Sequence, residues 1–163
     1  MGLGFEAEIA RRFAGFTRRG LPGYFRAGLP LFFSHRAESL TVHHDGGRTT
    51  LAAFSLAVQN STQLGNNAIT APDASVDDGM FDLVAVPPVG FFGAVGLVTR
   101  LALGSFGRAP GITRLRSARF AIERAASGTI HTDGEPRDAA ARLEINVRLR
   151  SLRVLAPPMV TAP

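Results

Sequence analysis

The sequence predicts an α+β fold, mainly β: a two-layer, β-sandwich-like domain with two or three helices, with residues 1–163 forming one domain. Three observations lead there. From Ser39 onward apolar and polar residues alternate in short runs, most cleanly where Leu143, Ile145, Val147 and Leu149 interleave with Arg142, Glu144, Asn146 and Arg148. Asp45-Gly46 and Asp133-Gly134 sit between such runs, as hairpin turns require. Helical periodicity is confined to the N-terminal third and to one later segment.

The first helix is expected over Glu6–Arg19, with Ile9, Phe13 and Phe16 on one face and Arg11, Arg12, Arg18 and Arg19 elsewhere. Gly20, Pro22 and Gly23 end it, and an apolar segment from Tyr24 to Phe33 follows, with Pro30 inside. Leu40 and Val42 mark a strand, Asp45-Gly46-Gly47 a turn, and Thr49–Val58 the returning strand. After a polar loop, Phe81–Val86 is a strand stopped by Pro87-Pro88. Gly90–Gly104 is apolar nearly all round, so as a helix it should be buried or pressed against something apolar. Ala118, Phe120 and Ile122 form the next strand, then Gly128–Thr132, then the Leu143 strand, which Leu152 and Val154 continue after a bend. The total is about six strands.

Composition narrows the chemistry. Of 163 residues 45% are hydrophobic and 19% charged, which argues against disorder. Cysteine is absent, excluding disulfides, thiolate metal sites and cysteine nucleophiles. All 18 basic residues are arginine, so neither a Schiff-base lysine nor a P-loop lysine exists. The net charge of +5 points to phosphate, an anionic lipid surface or nucleic acid. Without basic tracts interleaved with aromatics, nucleic acid is the weakest of these and is not expected as a partner. The N-terminus lacks the basic and apolar regions of a signal peptide, and the apolar charge-free run Leu83 to Thr99 is broken by prolines. A cytoplasmic protein is expected.

Gly2-x-Gly4 lacks both the preceding strand and the third glycine of a dinucleotide loop. His35, His43, His44 and His131 show no metal-ligand spacing, and hairpin or surface roles are expected for them. Two acidic clusters remain. Asp73-Ala74-Ser75-Val76-Asp77-Asp78-Gly79-Met80 offers the oxygen donors that a hard cation prefers, although a polar turn before a strand needs the same residues. His131-Thr132-Asp133-Gly134-Glu135 reads first as a type I′ hairpin turn. Functionally, Asp133 and Glu135 would present two carboxylates at a rigid strand end, able to take a proton from a substrate hydroxyl.

Taken in order, GLGFEAEIARR, FSLAVQNSTQLGNNAITAPDASVDDGMFDLVAV, TDGEP and the terminal SLRVLAP resemble the C-terminal half of the diacylglycerol kinase catalytic family, which includes bacterial lipid kinases, sphingosine kinases and ceramide kinases. The resemblance implies a sandwich domain facing a nucleotide-binding domain across a cleft, and transfer of the ATP γ-phosphate to a lipid hydroxyl. It implies Glu135 as general base with Asp133 beside it. It implies Mg²⁺ held by the Asp78 side chain and the carbonyls of Ser75 and Met80, and a lipid head group met by Glu8 or Glu6. The lipid, ATP and, peripherally, a membrane surface are the implied partners, with a homodimer also open. The sequence departs from the family at Glu6, where Asp is frequent, and at Gly65-Asn66-Asn67, where a glycine run is frequent. The family's GGDGT motif and its second glycine-rich nucleotide motif are both absent, so the chain alone is expected to be inactive. The alternative is a non-catalytic lipid- or membrane-surface-binding domain of the same descent.

Overall fold

The structure is a computed structural model that describes residues 1–14, 21–65 and 68–153. Its elements are β1 (Gly2–Gly4), α1 (Phe5–Phe13), α2 (Leu21–Ser34), β2 (Glu38–His44), β3 (Gly47–Ala53), β4 (Ser55–Gln59), β5 (Phe81–Val86), α3 (Phe91–Ala102), a 3₁₀ turn (Phe106–Arg108), β6 (Thr113–Ser117), β7 (Arg119–Glu123), β8 (Gly128–Thr132), β9 (Glu135–Ala139) and β10 (Arg142–Asn146). The strands form two antiparallel sheets, one in the order β6-β5-β4-β1-β8-β9 and the other β10-β7-β2-β3. The α+β sandwich expected from the sequence is therefore the fold, with ten strands among the described residues rather than about six.

The core lies between the sheets because alternation places every second residue there. Leu3, Leu56, Val58, Leu83, Ala85 and Ile130 come from the six-stranded sheet, and Leu40, Val42, Ala53, Phe120, Ile122 and Leu143 from the four-stranded one. Each large side chain so buried stabilises the fold by about 1.5–3 kcal/mol.

Several expectations are corrected. Thr49–Val58 is not one strand. The chain changes sheets at Phe54, whose N–H donates to Val86 O at 2.8 Å and whose carbonyl accepts from Phe5 N–H at 2.9 Å. The corner is invisible in the sequence, because no glycine or proline marks it between Leu51 and Gln59. The Leu143 strand ends at Asn146, and Arg150 has φ 53, which a strand cannot contain. The extension through Val154, the continuation of the first helix expected beyond Ala14 with Phe16 on its face, Asn66-Asn67 and most of the terminal motif lie outside the described residues. The second apolar segment is helix α2, with Pro30 inside it.

Three strands escaped the sequence reading. β6 and β9 are edge strands that carry Arg114 and Arg116 or Pro136, Arg137 and Asp138, the charged and proline-bearing pattern that edges tolerate. β1 is a central strand made of Gly-Leu-Gly. A side chain at Gly4, where φ is 76, would put its Cβ 2.7 Å from Phe54 O, so the turn from β1 into α1 requires glycine.

α1 covers β1, β8 and β9 on the outer face of the larger sheet, and Arg11 near its end pairs with Asp138 of β9. On the same face α3 sets Leu97 and Leu101 against a small cluster of Ala71, Val84 and Phe106. α3 has no buried residue, so of the two alternatives, burial or contact with something apolar, burial is not the one met. Phe92, Val95, Val98 and Leu103 are exposed, as is Phe33 of α2, which stacks on Phe91 at 6.1 Å.

Candidate active site

The hairpin β8–β9 carries the paired acids. Thr132 pairs with Glu135, leaving Asp133 (φ 52) and Gly134 (φ 85) as a two-residue loop with both central residues left-handed, the type I′ turn expected from Asp-Gly. Asp133 and Glu135 are exposed, and among the described residues neither makes a side-chain hydrogen bond or ion pair. They are two uncommitted carboxylates on a tight turn.

The strand register sets what lies beside them. Gly2 of β1 stands opposite both His131 of β8 and Ala57 of β4, and Gln59 of β4 stands opposite Asp82 of β5. The Asp133-Gly134 turn and the Asp77-Asp78-Gly79 turn before β5 therefore share one rim of the sheet. They are three strand spacings apart, about 14 Å.

Asp78 organises the second turn. Its Oδ1 accepts the Met80 N–H at 2.8 Å, and its Oδ2 pairs with Arg116 of β6. Ser75 Oγ donates to Asp77 Oδ1 at 2.5 Å. Gly79 favours glycine through its φ of 76. Asp82, the first-row neighbour on β5, has a buried Oδ2 with no hydrogen-bond partner. Burial pushes its carboxyl above the usual range; Arg116 opposes this, while Asp78 and Asp73 add to it. Among the described residues no three His, Asp or Glu side chains gather as a metal cluster.

The two acids of the first segment have different surroundings. Glu8 lines a groove of about 330 Å³ with Leu31, Ser34, His35, Arg36 and Glu38, toward the opposite rim. Glu6 points under α1 toward His131, its Oε1 3.5 Å from Nε2 and without a hydrogen bond. Burial raises the Glu6 carboxyl above its ordinary value, with His131 opposing. A larger groove of about 430 Å³ lies on the outer face of the smaller sheet, between His43, Arg119 and Glu144, far from both turns.

Sequence reasoning missed two residues that hold the hairpin. His131 belongs to the hairpin as expected, but its side chain, only 13% exposed, also reaches the Gly134 amide. Arg124 follows β7 and is 8% exposed, yet among the described residues it pairs with no acid. Its guanidinium donates to the carbonyls of Gly128 at 2.9 Å, Ala139 at 2.8 Å and Ala140 at 3.1 Å, with Thr129 O at 3.5 Å. No local signal separates Arg124 from the seventeen other arginines.

Two antiparallel sheets joined by sheet-changing corners, with both acidic turns on one rim, define a sandwich domain rather than a nucleotide-binding α/β fold. The profile described as "YegS C-terminal NAD kinase beta sandwich-like domain" matches residues 1–156, and the chain belongs to that family. A solved diacylglycerol kinase structure from Bacillus anthracis str. Sterne is similar at a TM-score of 0.56 and 20% identity, over 86% of this chain and 46% of that one. Two other structures from the same organism match with TM-scores of 0.60 and 0.55 and identities of 17% and 19%. They cover 89% and 68% of this chain, but 48% and 38% of their own. At these identities the likeness shows the fold. The chain spans less than half the length of each of these structures, and no curated protein matches it. The resemblance to the C-terminal half of the diacylglycerol kinases is borne out at the level of family and fold.

Proposed function

We propose that this chain is the substrate-side half of a lipid kinase, transferring the γ-phosphate of ATP to a lipid hydroxyl with Glu135 as general base. The observation that carries the reading is the pair of uncommitted carboxylates, Glu135 and Asp133, on a type I′ turn at the sheet rim. A carboxylate free of ion pairs can accept the hydroxyl proton as the oxygen attacks phosphorus. The phosphate cradle and the nucleotide come from the half of the kinase that this chain does not span. The test is lipid phosphorylation from γ-labelled ATP. The full-length protein is expected to label diacylglycerol or a similar lipid alcohol, and this chain alone to show neither transfer nor saturable ATP binding at millimolar concentration. Micromolar Mg-ATP affinity in the isolated chain would overturn the division of labour.

Mg²⁺ fits the second turn by donor chemistry: Asp78 with the carbonyls of Ser75 and Met80 is an all-oxygen set carrying a carboxylate charge, and the buried Asp82 oxygen beside it has no hydrogen-bond partner. Bound, the ion would neutralise that charge and fix the turn. Because a ligand that binds only the folded state stabilises it, by about 2.7 kcal/mol at a hundred times Kd, Mg²⁺ should raise the melting temperature and EDTA lower it. Asp78→Ala should abolish that response. A wild type indifferent to both would leave Asp78 as the partner of Arg116 alone.

The exposed Phe33, Phe92, Val98 and Leu103 favour a second reading, a lipid- or membrane-surface-binding domain without catalysis. No helix among the described residues is long and apolar enough to cross a membrane. The two readings part on phosphoryl transfer by the full-length protein.

A further inference from the structure

We infer that His131, braced from below by the largely covered Glu6, is a positioning residue that aims the Asp133-Gly134-Glu135 turn. The inference rests on the kinase reading above and assigns to two further residues the task of holding its base.

The geometry has three parts. Gly134 N–H, the amide between the two acids, donates to His131 Nδ1 at 3.3 Å. An Nδ1 that accepts carries no proton, so the neutral ring holds its hydrogen on Nε2. Nε2 faces Glu6 Oε1 at 3.5 Å, and the two side chains are only 13% and 16% exposed. The ring is thus oriented from one side by a carboxylate and holds the turn from the other. Third, Gly2 makes room for the pair. A Cβ there would lie 1.7 Å from Glu6 Oε1 and 2.4 Å from His131 Nε2, and Gly2 has no positive φ that would itself require glycine. The empty side-chain position on β1 admits the acid and the imidazole beneath the hairpin.

An exposed two-residue turn at the tip of a hairpin with one edge strand has few other constraints. Fixing its central amide limits the rotation of the peptides on either side, from which both carboxylates project. Displacement of a reacting group by about 1 Å can cost a hundredfold in rate, so loss of the brace should appear in turnover before it appears in binding.

The test uses the full-length kinase and four variants beside Glu135→Gln. His131→Ala is expected to lower kcat roughly tenfold to a hundredfold with KM for ATP unchanged. His131→Asn places Oδ1 where Nδ1 stood and can accept from Gly134 N–H, so it should recover most of the turnover. His131→Gln reaches toward Glu6 but offers the turn no acceptor, so it should stay as low as Ala. Gly2→Ala leaves both side chains intact and should lower kcat by displacing them, which keeps the test open if a His131 variant fails to fold. Wild-type kcat in His131→Ala or Gly2→Ala, or recovery by Gln equal to that by Asn, would overturn the inference while an inactive Glu135→Gln left the kinase reading standing. A fully active Glu135→Gln would remove the base and this inference with it.

Discussion

Glu135→Gln in the full-length protein is expected to lower kcat for lipid phosphorylation by about 10²–10⁴-fold, the usual contribution of a general base. Glutamine keeps the size of the side chain and its hydrogen-bonding capacity but cannot take a proton. Because Glu135 is exposed and makes no side-chain hydrogen bond or ion pair among the described residues, the melting temperature and KM for ATP should scarcely move. The companion substitution Asp133→Asn isolates charge in the same way. Asp133 sits at φ 52 before Gly134, and Asn-Gly suits a type I′ turn as well as Asp-Gly does. Any loss of turnover in Asp133→Asn therefore reports its carboxylate and not the turn. If the two acids act as one unit, the double variant will be no slower than Glu135→Gln alone. Turnover near wild type in Glu135→Gln would show that the turn is only a turn.

Arg124→Met is expected to be the most destabilising single change outside the hydrophobic core. The guanidinium reaches carbonyls at the base of the β8–β9 hairpin, from Gly128 and Ala139 to Ala140. Methionine fills similar space and offers no donor, so several part-buried carbonyls lose their partners at about 1–3 kcal/mol each. A loss of roughly 3 kcal/mol corresponds to a fall of about 6–12 °C in melting temperature for a chain of this size. Arg124→Lys should recover less than half, because a single ammonium cannot span the fork of carbonyls that the planar guanidinium meets. Gly128 belongs to the same arrangement, since a Cβ there would stand 3.1 Å from Arg124 Nη1. Thermal unfolding of the three proteins decides it, and a loss below about 1 kcal/mol would mean that water satisfies these carbonyls instead. The hairpin that carries the acids is thus held at its base by Arg124, on its outer face by Arg11 through Asp138, and at its tip by His131.

Part of this was legible in the residues. Phe81–Val86 was read with its observed boundaries, because two prolines end it and Phe81, Val84 and Val86 favour extended backbone. The Asp133-Gly134 turn was read with its type, because only a loop with both residues at positive φ selects Asp-Gly so strongly. β9 was not legible: Glu-Pro-Arg-Asp-Ala has neither alternation nor β-propensity, and it is a strand because β8 offers it a hydrogen-bonding edge. α3 read as a helix that should be covered, since periodicity reports apolarity and cannot say whether a partner lies in the same chain.

By itself the sequence determined the class of fold, the turns and the acids that the turns present, since these follow from local preference: the period of two along a strand, the φ angles open to Asp-Gly, and the absence of cysteine and lysine. The tertiary structure alone decided that Glu6 meets His131 across some 125 residues, that Gly2 is empty to admit them, and that Arg124 serves carbonyls instead of an acid. Contacts of that separation are set by which strand lies beside which, and the order β4-β1-β8 leaves no periodic trace in any one segment. A buried polar group needs a partner, but which partner it finds is a property of the assembled sheets.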